Sequence, residues 1–351
     1  MNVFADLHHE GLYDSFKMLF EDRLGGKLFR PVGLEWFQEG FWKIAELYNN
    51  APDTIGQFLE LRDIKEYPFI PPFSDKSLNE IKEQTKDYYV MNVGTGQKAI
   101  TLEQFKNMDI DIVIASIPAH FVAYAELIKK YKPNAKLICH YGNNWLMSNY
   151  QQDNVMASIL PQPIPNNTNV VFYHQEFDLN IFKYKEPTIS KHIKSFVHVF
   201  DGYPDAQLFY DVEKLMPDYS FKVHGATSRD GNINGYQNIA DAMHDSMFIW
   251  HLKKDGDGFG HIIHNAFACG RPPIVKKEYY KDQLAEQLME DGVTCIAVDN
   301  LNPQEIVDKI RKYSETDNYI KLCQNAYNRF KEFVDYDEEE KEIREFVDNL
   351  I

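Results

Sequence analysis

Short apolar runs alternate with amphipathic segments along the first half of the chain. Four of these runs have the length and the β-branched or aromatic content of strands: Asn2 to Leu7, Lys27 to Val32, Ile110 to Ser116 and Ala135 to His140. Helical spacing of apolar residues is found in two of the intervals, from Leu12 to Leu24 and from Phe121 to Tyr131. Because strands that are separated by helices pair in parallel, this half predicts a parallel sheet covered by helices.

A second alternating series follows Lys183. Its strand-like runs are Ser195 to Phe200, Ser220 to His224, Met247 to Leu252 and Pro273 to Val275, and a helix is predicted from Ala206 to Leu215. Two such series predict an α/β protein with two Rossmann-like domains that face a cleft. We expect residues 1–184 to form the first domain and residues 185–330 the second.

Composition narrows the choice of partners. The 351 residues exceed one typical domain, and 44% of them are hydrophobic and 26% charged, as in a globular protein. An excess of 53 acidic over 37 basic residues gives a formal net charge of −16. Bulk electrostatics therefore disfavour a nucleic-acid partner or an anionic membrane surface, while a local basic groove stays open as an alternative.

The cysteines and the N-terminal stretch bear on location. The four cysteines lie far apart, in apolar or helical surroundings and without C-x-x-C spacing, which predicts buried reduced thiols. The N-terminal stretch lacks the basic and apolar regions of a secretory signal, and no run approaches the length that spans a bilayer. We therefore expect a cytoplasmic protein without integral membrane contact.

The most informative segment is Asp255 to Val275, with the sequence DGDGFGHIIHNAFACGRPPIV. Its glycines let backbone N–H groups approach an anion, and the helix that follows adds the positive end of its dipole. A Cys-Gly pair followed by two prolines ends that helix. Apolar residues share one helix face, so we expect the opposite face to present His261, His264 and Asn265 to a ligand or to solvent. The alternative is an ordinary strand-loop-helix joint.

The order of residues in this segment resembles the donor-binding segment of the group 1, family 4-like retaining glycosyltransferases, which have the GT-B fold. That family shows E-G-F-G, a short apolar run, E-A, small residues, C-G and P-V. Here Asp257 to Gly260 matches the first part, Asn265 to Gly270 the middle, and Pro273 to Val275 the end. The resemblance implies a site for a nucleotide-sugar donor.

The resemblance also implies roles for individual residues. Its donor-binding part includes four consecutive residues: Gly258, Phe259, Gly260 and His261. In the family the first glutamate meets sugar hydroxyls and the second meets the nucleotide ribose, and these positions hold Asp257 and Asn265 here. Asn265 keeps the capacity to hydrogen-bond a hydroxyl but carries no charge.

Similarity to the family continues outside this segment. Val170 to Phe182 resembles the element between the two domains, with Asp178 and Phe182 at the expected positions. The end of the chain, Tyr319 to Ile351, resembles the helices that cross back to the first domain. We therefore assign residues 331–351 to the first domain as a C-terminal helix.

Histidines lie at the carboxyl ends of predicted strands, where ligands bind in doubly wound domains. His9 and Gly11 follow the first strand, and His140 ends a later one. We predict that His9 and His140 are catalytic together with Asp257, with a structural role as the alternative for each histidine. Gly11 is expected to let the donor phosphate or the acceptor approach the backbone, and His120 is a further candidate at a strand-to-helix turn.

Charge neutralisation of the departing diphosphate requires Arg, Lys or backbone amides when no metal takes part. The family's Arg and Lys after the first strand of the second domain are missing from Phe200 to Asp205. The nearest substitutes are Arg229 and Lys253, which we predict in the donor site. Asp255 to Asp257 also has the form D-x-D, but the helix that follows favours phosphate binding, so no metal site is predicted.

These observations and the resemblance together predict a GT-B glycosyltransferase that is independent of metal, and the resemblance implies that it retains anomeric configuration. Its co-substrate is a nucleotide-diphosphate sugar, with UDP as the default nucleotide, and no cofactor is expected. Two alternatives stay open: a sugar-nucleotide epimerase of the same double-Rossmann layout, and a non-catalytic nucleotide-sugar binding protein. The acceptor is left open among a glycan, a lipid-linked sugar, a protein and a modified DNA base.

Overall fold

The first half of the protein is built on a parallel sheet. The computed structural model describes residues 1–5, 10–31, 98–116, 118–142, 153–159, 168–225, 228–254 and 257–351. Within these ranges the strands are β1 (Asn2–Ala5), β2 (Lys27–Pro31), β3 (Lys98–Ile100), β4 (Ile112–Ala115), β5 (Lys136–Tyr141), β6 (Asn154–Ala157) and β7 (Asn169–Phe172). Their order is β3-β2-β1-β4-β5-β6-β7, and all neighbours pair in parallel.

The second half has its own parallel sheet. Its described strands are β8 (His192–Ser195), β9 (Ser220–Val223), β10 (Phe248–Trp250), β11 (Pro273–Val275) and β12 (Ile296–Ala297). The order is β12-β11-β10-β8-β9, again with parallel neighbours. The predicted α/β architecture with two Rossmann-like units is confirmed.

Helices connect the strands, as parallel pairing requires. The described helices of the first half are α1 (Glu10–Lys17), α2 (Leu102–Asn107) and α3 (Pro118–Tyr131), and a π-helical turn at Met18–Arg23 continues α1. The second half contains α4 (Ala206–Leu215), α5 (Tyr236–His244), α6 (His261–Ala268), α7 (Pro303–Ser314) and α8 (Thr316–Phe333), and α9 (Tyr336–Asp348) follows. Capping boxes at Thr101 and Asn302 fix the first residues of α2 and α7.

Each sheet separates two hydrophobic cores, because successive side chains of a strand point to opposite faces. On β4, Ile112 and Ile114 enter one core, whereas Val113 and Ala115 enter the other. All four residues are fully buried. This burial on both faces explains why the strands of the first half are continuous apolar runs in the sequence.

One predicted strand is wrong in its bounds. The structure places β8 at His192–Ser195 and a short 3-10 turn at Phe200–Gly202, whereas the apolar run had predicted a strand from Ser195 to Phe200. The polar residues of β8 break the apolar pattern that predicts a buried strand. Lys194 is nevertheless buried, with its ammonium 2.6 Å from the carboxylate of Asp245. A paired charge is compatible with a buried strand, and the hydrophobic pattern does not show the pairing.

Helix α9 returns the chain to the first sheet, as predicted. Its Ile343, Phe346 and Val347 are buried in the core that β1 and β4 also line. The preceding helix α8 instead buries Leu322 and Phe330 in the cores of the second sheet. The chain therefore crosses from one half to the other between α8 and α9.

Two further properties bear on the sequence-based expectations. Among the helices in the described ranges, none combines the length and the apolar character that a membrane span requires. The four cysteines, at positions 139, 269, 295 and 323, are all buried thiols. Burial raises the pKa of the Cys269 thiol to about 12, which makes it unreactive at neutral pH.

Candidate functional site

The glycine-rich loop of the second half meets the carboxyl end of β5 in the first half. The amide of Phe259 donates a hydrogen bond of 3.2 Å to the carbonyl oxygen of Gly142. A second contact between the halves joins the Tyr236 hydroxyl at the start of α5 to the Asp14 carboxylate of α1, over 2.5 Å. The strand ends of both sheets thus border one cleft, the place where doubly wound proteins bind ligands.

Helix α6 begins at the cleft, directly after the loop. Gly260 precedes it in a left-handed conformation, with φ of 79°, which a residue with a side chain adopts only with strain. Phe259 is buried, and its ring stacks on His264 with the ring centroids 3.9 Å apart. The first amides of α6 have no carbonyl partner within the helix, so its N-terminus offers donors and a positive dipole end to an anion.

The Asp257 carboxylate is held by three side chains. Its oxygens lie 2.7 Å from Nε2 of His251, 3.1 Å from Nζ of Lys253 and 3.1 Å from the hydroxyl of Tyr280. Burial by itself raises the pKa of the Asp257 carboxyl, but the charges and hydrogen bonds of His251 and Lys253 outweigh it and hold that pKa well below its usual range. Asp257 is therefore an anion that fixes Lys253 at the cleft.

A hydrogen-bond network links the two histidines that were predicted in opposite halves. Nε2 of His261 lies 2.7 Å from Oε1 of Gln175, whose amide nitrogen donates to the Ser158 hydroxyl over 2.7 Å. The Ser158 hydroxyl is 3.5 Å from Nε2 of His140, and the same nitrogen is 2.8 Å from the Tyr173 hydroxyl. The structure thus brings the buried His140 and the half-buried His261 into one polar network.

Two glycines leave room for this network. A Cβ on Gly142 would stand 2.2 Å from Cε1 of His140 and 2.9 Å from the amide nitrogen of Gln175. A Cβ on Gly11, which lies in α1, would stand 3.3 Å from Nε2 of His261. Gly11 therefore lies close to His261, where a side chain would crowd the imidazole. Its contact with a donor or acceptor stays a prediction.

Two of the three side chains predicted on the open face of α6 are buried in the structure. His264 is fully buried against the rings of Phe259 and His174, and Asn265 is nearly buried. Burial, and then the neighbouring His174, lower the pKa of His264 well below its usual range, so the ring is neutral. Nδ1 of His264 is 3.0 Å from the Gly260 carbonyl oxygen, which gives this histidine a structural role. The Oδ1 atom of Asn265 has no hydrogen-bond partner among the described residues.

Arg229 lies apart from the Asp257 cluster. Its guanidinium pairs with Glu213 at 2.7 Å and with Asp230 at 3.1 Å, and it donates to the carbonyl oxygen of Phe221 at 2.9 Å. These contacts clamp α4 against β9. The structure therefore does not bring Arg229 together with Lys253, and its role in donor binding stays a prediction.

Some candidates cannot be placed. His9, Asp255 and Gly256 lie outside the described residues, and of His120 only the helical backbone is described. Gly258 is described, in the bend between Asp257 and Phe259. In the ranges that the structure describes, no group of three or more His, Cys, Asp or Glu side chains is arranged to hold a metal ion.

Four residues of the site were missed by the sequence analysis: His251, Tyr280, Gln175 and Ser158. His251 directly follows β10, so the strand-end argument applied to His140 would also have found it. Ser158 also follows a strand, β6, but that strand was not predicted. Gln175 and Tyr280 carry no comparable signal, because their contacts join segments that are distant in the sequence.

Solved structures of glycosyltransferases share this fold. HepE of Anabaena, in complex with UDP and glucose, is 14% identical and matches 99% of this chain and 100% of its own, with a TM-score of 0.61. A glycosyltransferase from Rickettsia africae is 13% identical over 99% and 98% of the two chains, with a TM-score of 0.60. An alpha-glucosyltransferase in complex with UDP and a 13-mer DNA is 12% identical over 99% of each chain, with a TM-score of 0.59.

No protein-family model matches the sequence, and no curated protein matches it either. The likeness to the solved structures therefore lies in the fold, and it extends over nearly the whole chain. The predicted GT-B architecture is confirmed.

Proposed function

We propose that this protein transfers a sugar from a UDP-sugar to an acceptor. The observation that carries the proposal is the loop that ends in Gly260, where the N-terminus of α6 begins: its Asp257 binds the Lys253 ammonium at 3.1 Å and approaches Gly260. The helix N-terminus and this ammonium both attract the charge that develops on a departing diphosphate. The structural relatives whose complexes contain UDP support the choice of nucleotide.

Lys253 supplies the cation of this site. Its side chain is 25% exposed, so the ammonium can pair with Asp257 and still reach a ligand in the cleft. The anionic Asp257 fixes the position of Lys253, and the buried His251 fixes that of Asp257. We infer that this arrangement replaces the Arg and Lys pair that the family carries after the first strand of its second domain.

Asn265 is proposed as the contact to the ribose. Its Oδ1 is buried without a hydrogen-bond partner among the described residues, which costs free energy unless a ligand donates to it. A ribose hydroxyl is a donor of the required kind. The position in α6 is that of the second glutamate in the family, which supports the same assignment.

The finer points of the reaction are part of the proposal. Retention of configuration is supported by the likeness of the donor segment to that of retaining enzymes, and metal independence by Lys253 and the helix N-terminus as alternative sources of positive charge. We propose 1–184 with 331–351 as the acceptor side and 185–330 as the donor side. A cytoplasmic location is supported by the four buried thiols.

The acceptor is the least constrained part. One structural relative is crystallised with DNA, whereas the net charge of −16 in this chain favours an uncharged acceptor such as a glycan. Assays with a glycan, a lipid-linked sugar and DNA with a hydroxymethylated base, each with a radiolabelled UDP-sugar, decide among them.

A thermal-shift series with UDP, GDP, ADP, CMP and dTDP sugars tests the donor. A ligand that binds the native state raises the melting temperature, and at 100 times its Kd it adds about 2.7 kcal/mol to the free energy of unfolding. We expect the largest rise with UDP-sugars and slow release of free sugar from them. Isomerised donor without release would identify an epimerase, and binding without any turnover would identify a binding protein.

A further inference from the structure

Gln175 is buried in the segment that joins β7 to the second half. Its side-chain amide makes two hydrogen bonds of 2.7 Å, one with His261 of α6 and one with Ser158 next to β6. A single side chain therefore connects the donor helix with the strand ends of the first sheet.

The oxygen of the Gln175 amide accepts hydrogen bonds and its nitrogen donates them. This difference determines the tautomer of His261. The nitrogen of Gln175 donates to the Ser158 hydroxyl, so its oxygen faces His261. An amide oxygen accepts and cannot donate, so Nε2 of His261 carries the proton of this bond. Gln175 thus determines both the direction of the imidazole and which ring nitrogen is protonated.

The far end of the network is equally restrained. The Ser158 hydroxyl donates to the Tyr141 carbonyl oxygen over 3.3 Å and lies 3.5 Å from Nε2 of His140. Gly142 closes the space around it, since a Cβ there would overlap both His140 and Gln175. A displacement of the Gln175 amide would therefore disturb the rings on both sides of the cleft.

We propose that Gln175 is a positioning residue of the donor site, which orients His261 at the first turn of α6 and couples it to His140. The inference rests on the proposed function, because it assigns His261 to the UDP-sugar. His261 touches the donor, and Gln175 acts through His261.

A double-mutant cycle tests this coupling with UDP as the probe. Gln175→Met keeps the length of the side chain but removes both hydrogen bonds, and His261→Gln removes the imidazole. In calorimetry we expect each single change to raise the Kd for UDP about tenfold, the effect of one lost hydrogen bond to a charged group. The Kd of the double variant should exceed that of either single variant by less than about twofold.

Nitrogen-15 spectra of the imidazoles provide a readout that a merely structural role would not move. The wild-type protein should show His261 protonated at Nε2, and Gln175→Met should lose this preference. Ser158→Ala removes the acceptor that orients the Gln175 amide, so it should weaken the same preference. Gln207→Met, a change of the same kind on the exposed surface of α4, is the matched control.

The outcomes separate the two claims. Two results would overturn the positioning role and leave the proposed function intact. In the first, the wild type binds UDP and Gln175→Met binds it with the same affinity. In the second, the effects of the two single changes on the Kd multiply in the double variant. Absence of UDP binding by the wild type overturns the proposed function. If Gln175→Met does not fold, Gln175→Asn replaces it, because it keeps the amide but withdraws it by one carbon, and the same loss is expected.

Discussion

Glu339 of α9 accepts two hydrogen bonds from His174, one from its backbone nitrogen at 2.7 Å and one from Nδ1 at 2.5 Å. The His174 ring in turn packs edge-on against Phe259 and His264, the stacked pair at the start of α6. The C-terminal helix and the glycine-rich loop are thus connected through one side chain.

We expect Glu339→Gln to lower the free energy of unfolding by about 1–2 kcal/mol in urea, since a buried donor loses its charged acceptor. Glu338→Gln, at an exposed position of the same helix, should leave the midpoint unchanged.

Lys253 and Lys254 are adjacent lysines that should differ in function. Lys253 pairs with Asp257, whose side chain is 12% exposed, whereas Lys254 is exposed. Lys253→Met should weaken UDP binding about tenfold, the loss of one charge-assisted hydrogen bond, and lower kcat with a UDP-sugar. Lys254→Met changes the net charge equally and should alter neither. Equal effects in the two variants would mean that UDP binding depends on the overall electrostatic potential of the cleft and not on a specific contact with Lys253.

Asp257 contributes to folding as well as to the site. Its pKa is lowered in the folded protein, so its stabilising effect is present above the ordinary pKa of an aspartate and is lost as the pH falls through the lower, folded value. Asp257→Asn removes the negative charge that pairs with Lys253 and contacts His251. We expect a lower melting temperature at pH 7 and a difference from wild type that shrinks in strong acid. A variant that melts like wild type at pH 7 would show that the carboxylate is not held as described.

His264 predicts a loss of stability on mild acidification. Its folded pKa is lowered, so the neutral ring stabilises the protein above the ordinary histidine pKa, and this stability is lost as the pH falls below about 6.5. For each proton that the protein takes up on unfolding, the free energy of unfolding falls by about 1.4 kcal/mol for each unit by which the pH decreases. His264→Phe keeps the stacking on Phe259 and should flatten the slope between pH 6.5 and 5.5 in urea titrations. His198→Gln, at an exposed histidine, should keep the wild-type slope.

Gly142 should not tolerate a side chain. A methyl group there would overlap His140 and Gln175, so Gly142→Ala should cost about 1–3 kcal/mol of unfolding free energy, the usual cost of overpacking. It should also disturb UDP binding, because the Gly142 carbonyl accepts from the Phe259 amide. Gly202→Ala, whose Cβ would meet only the Val199 side chain at 3.2 Å, is the matched control and should cost less. Similar unfolding midpoints for both variants would contradict the close packing at Gly142.

The sequence by itself determined the architecture and the glycine-rich loop before α6. Strands such as β4, buried on both faces, produce apolar runs that periodicity detects, and α4 and β11 have the predicted bounds. The glycines before α6 identified the loop, because a left-handed residue and a close backbone approach require glycine. Strand β8 was misplaced, since the charge of Lys194 is paired by a residue 51 positions away.

The tertiary structure alone decided which polar groups meet. The contact between His261 and Gln175 spans 86 positions, and that between His174 and Glu339 spans 165, so no local pattern could reveal them. Periodicity predicted an open face at His264 and Asn265, but both residues are buried, and the ring of His174, from a distant segment, packs on His264. Local spacing determines which faces of a helix are polar, whereas the packing of distant segments determines whether such a face meets solvent, a ligand or the protein itself.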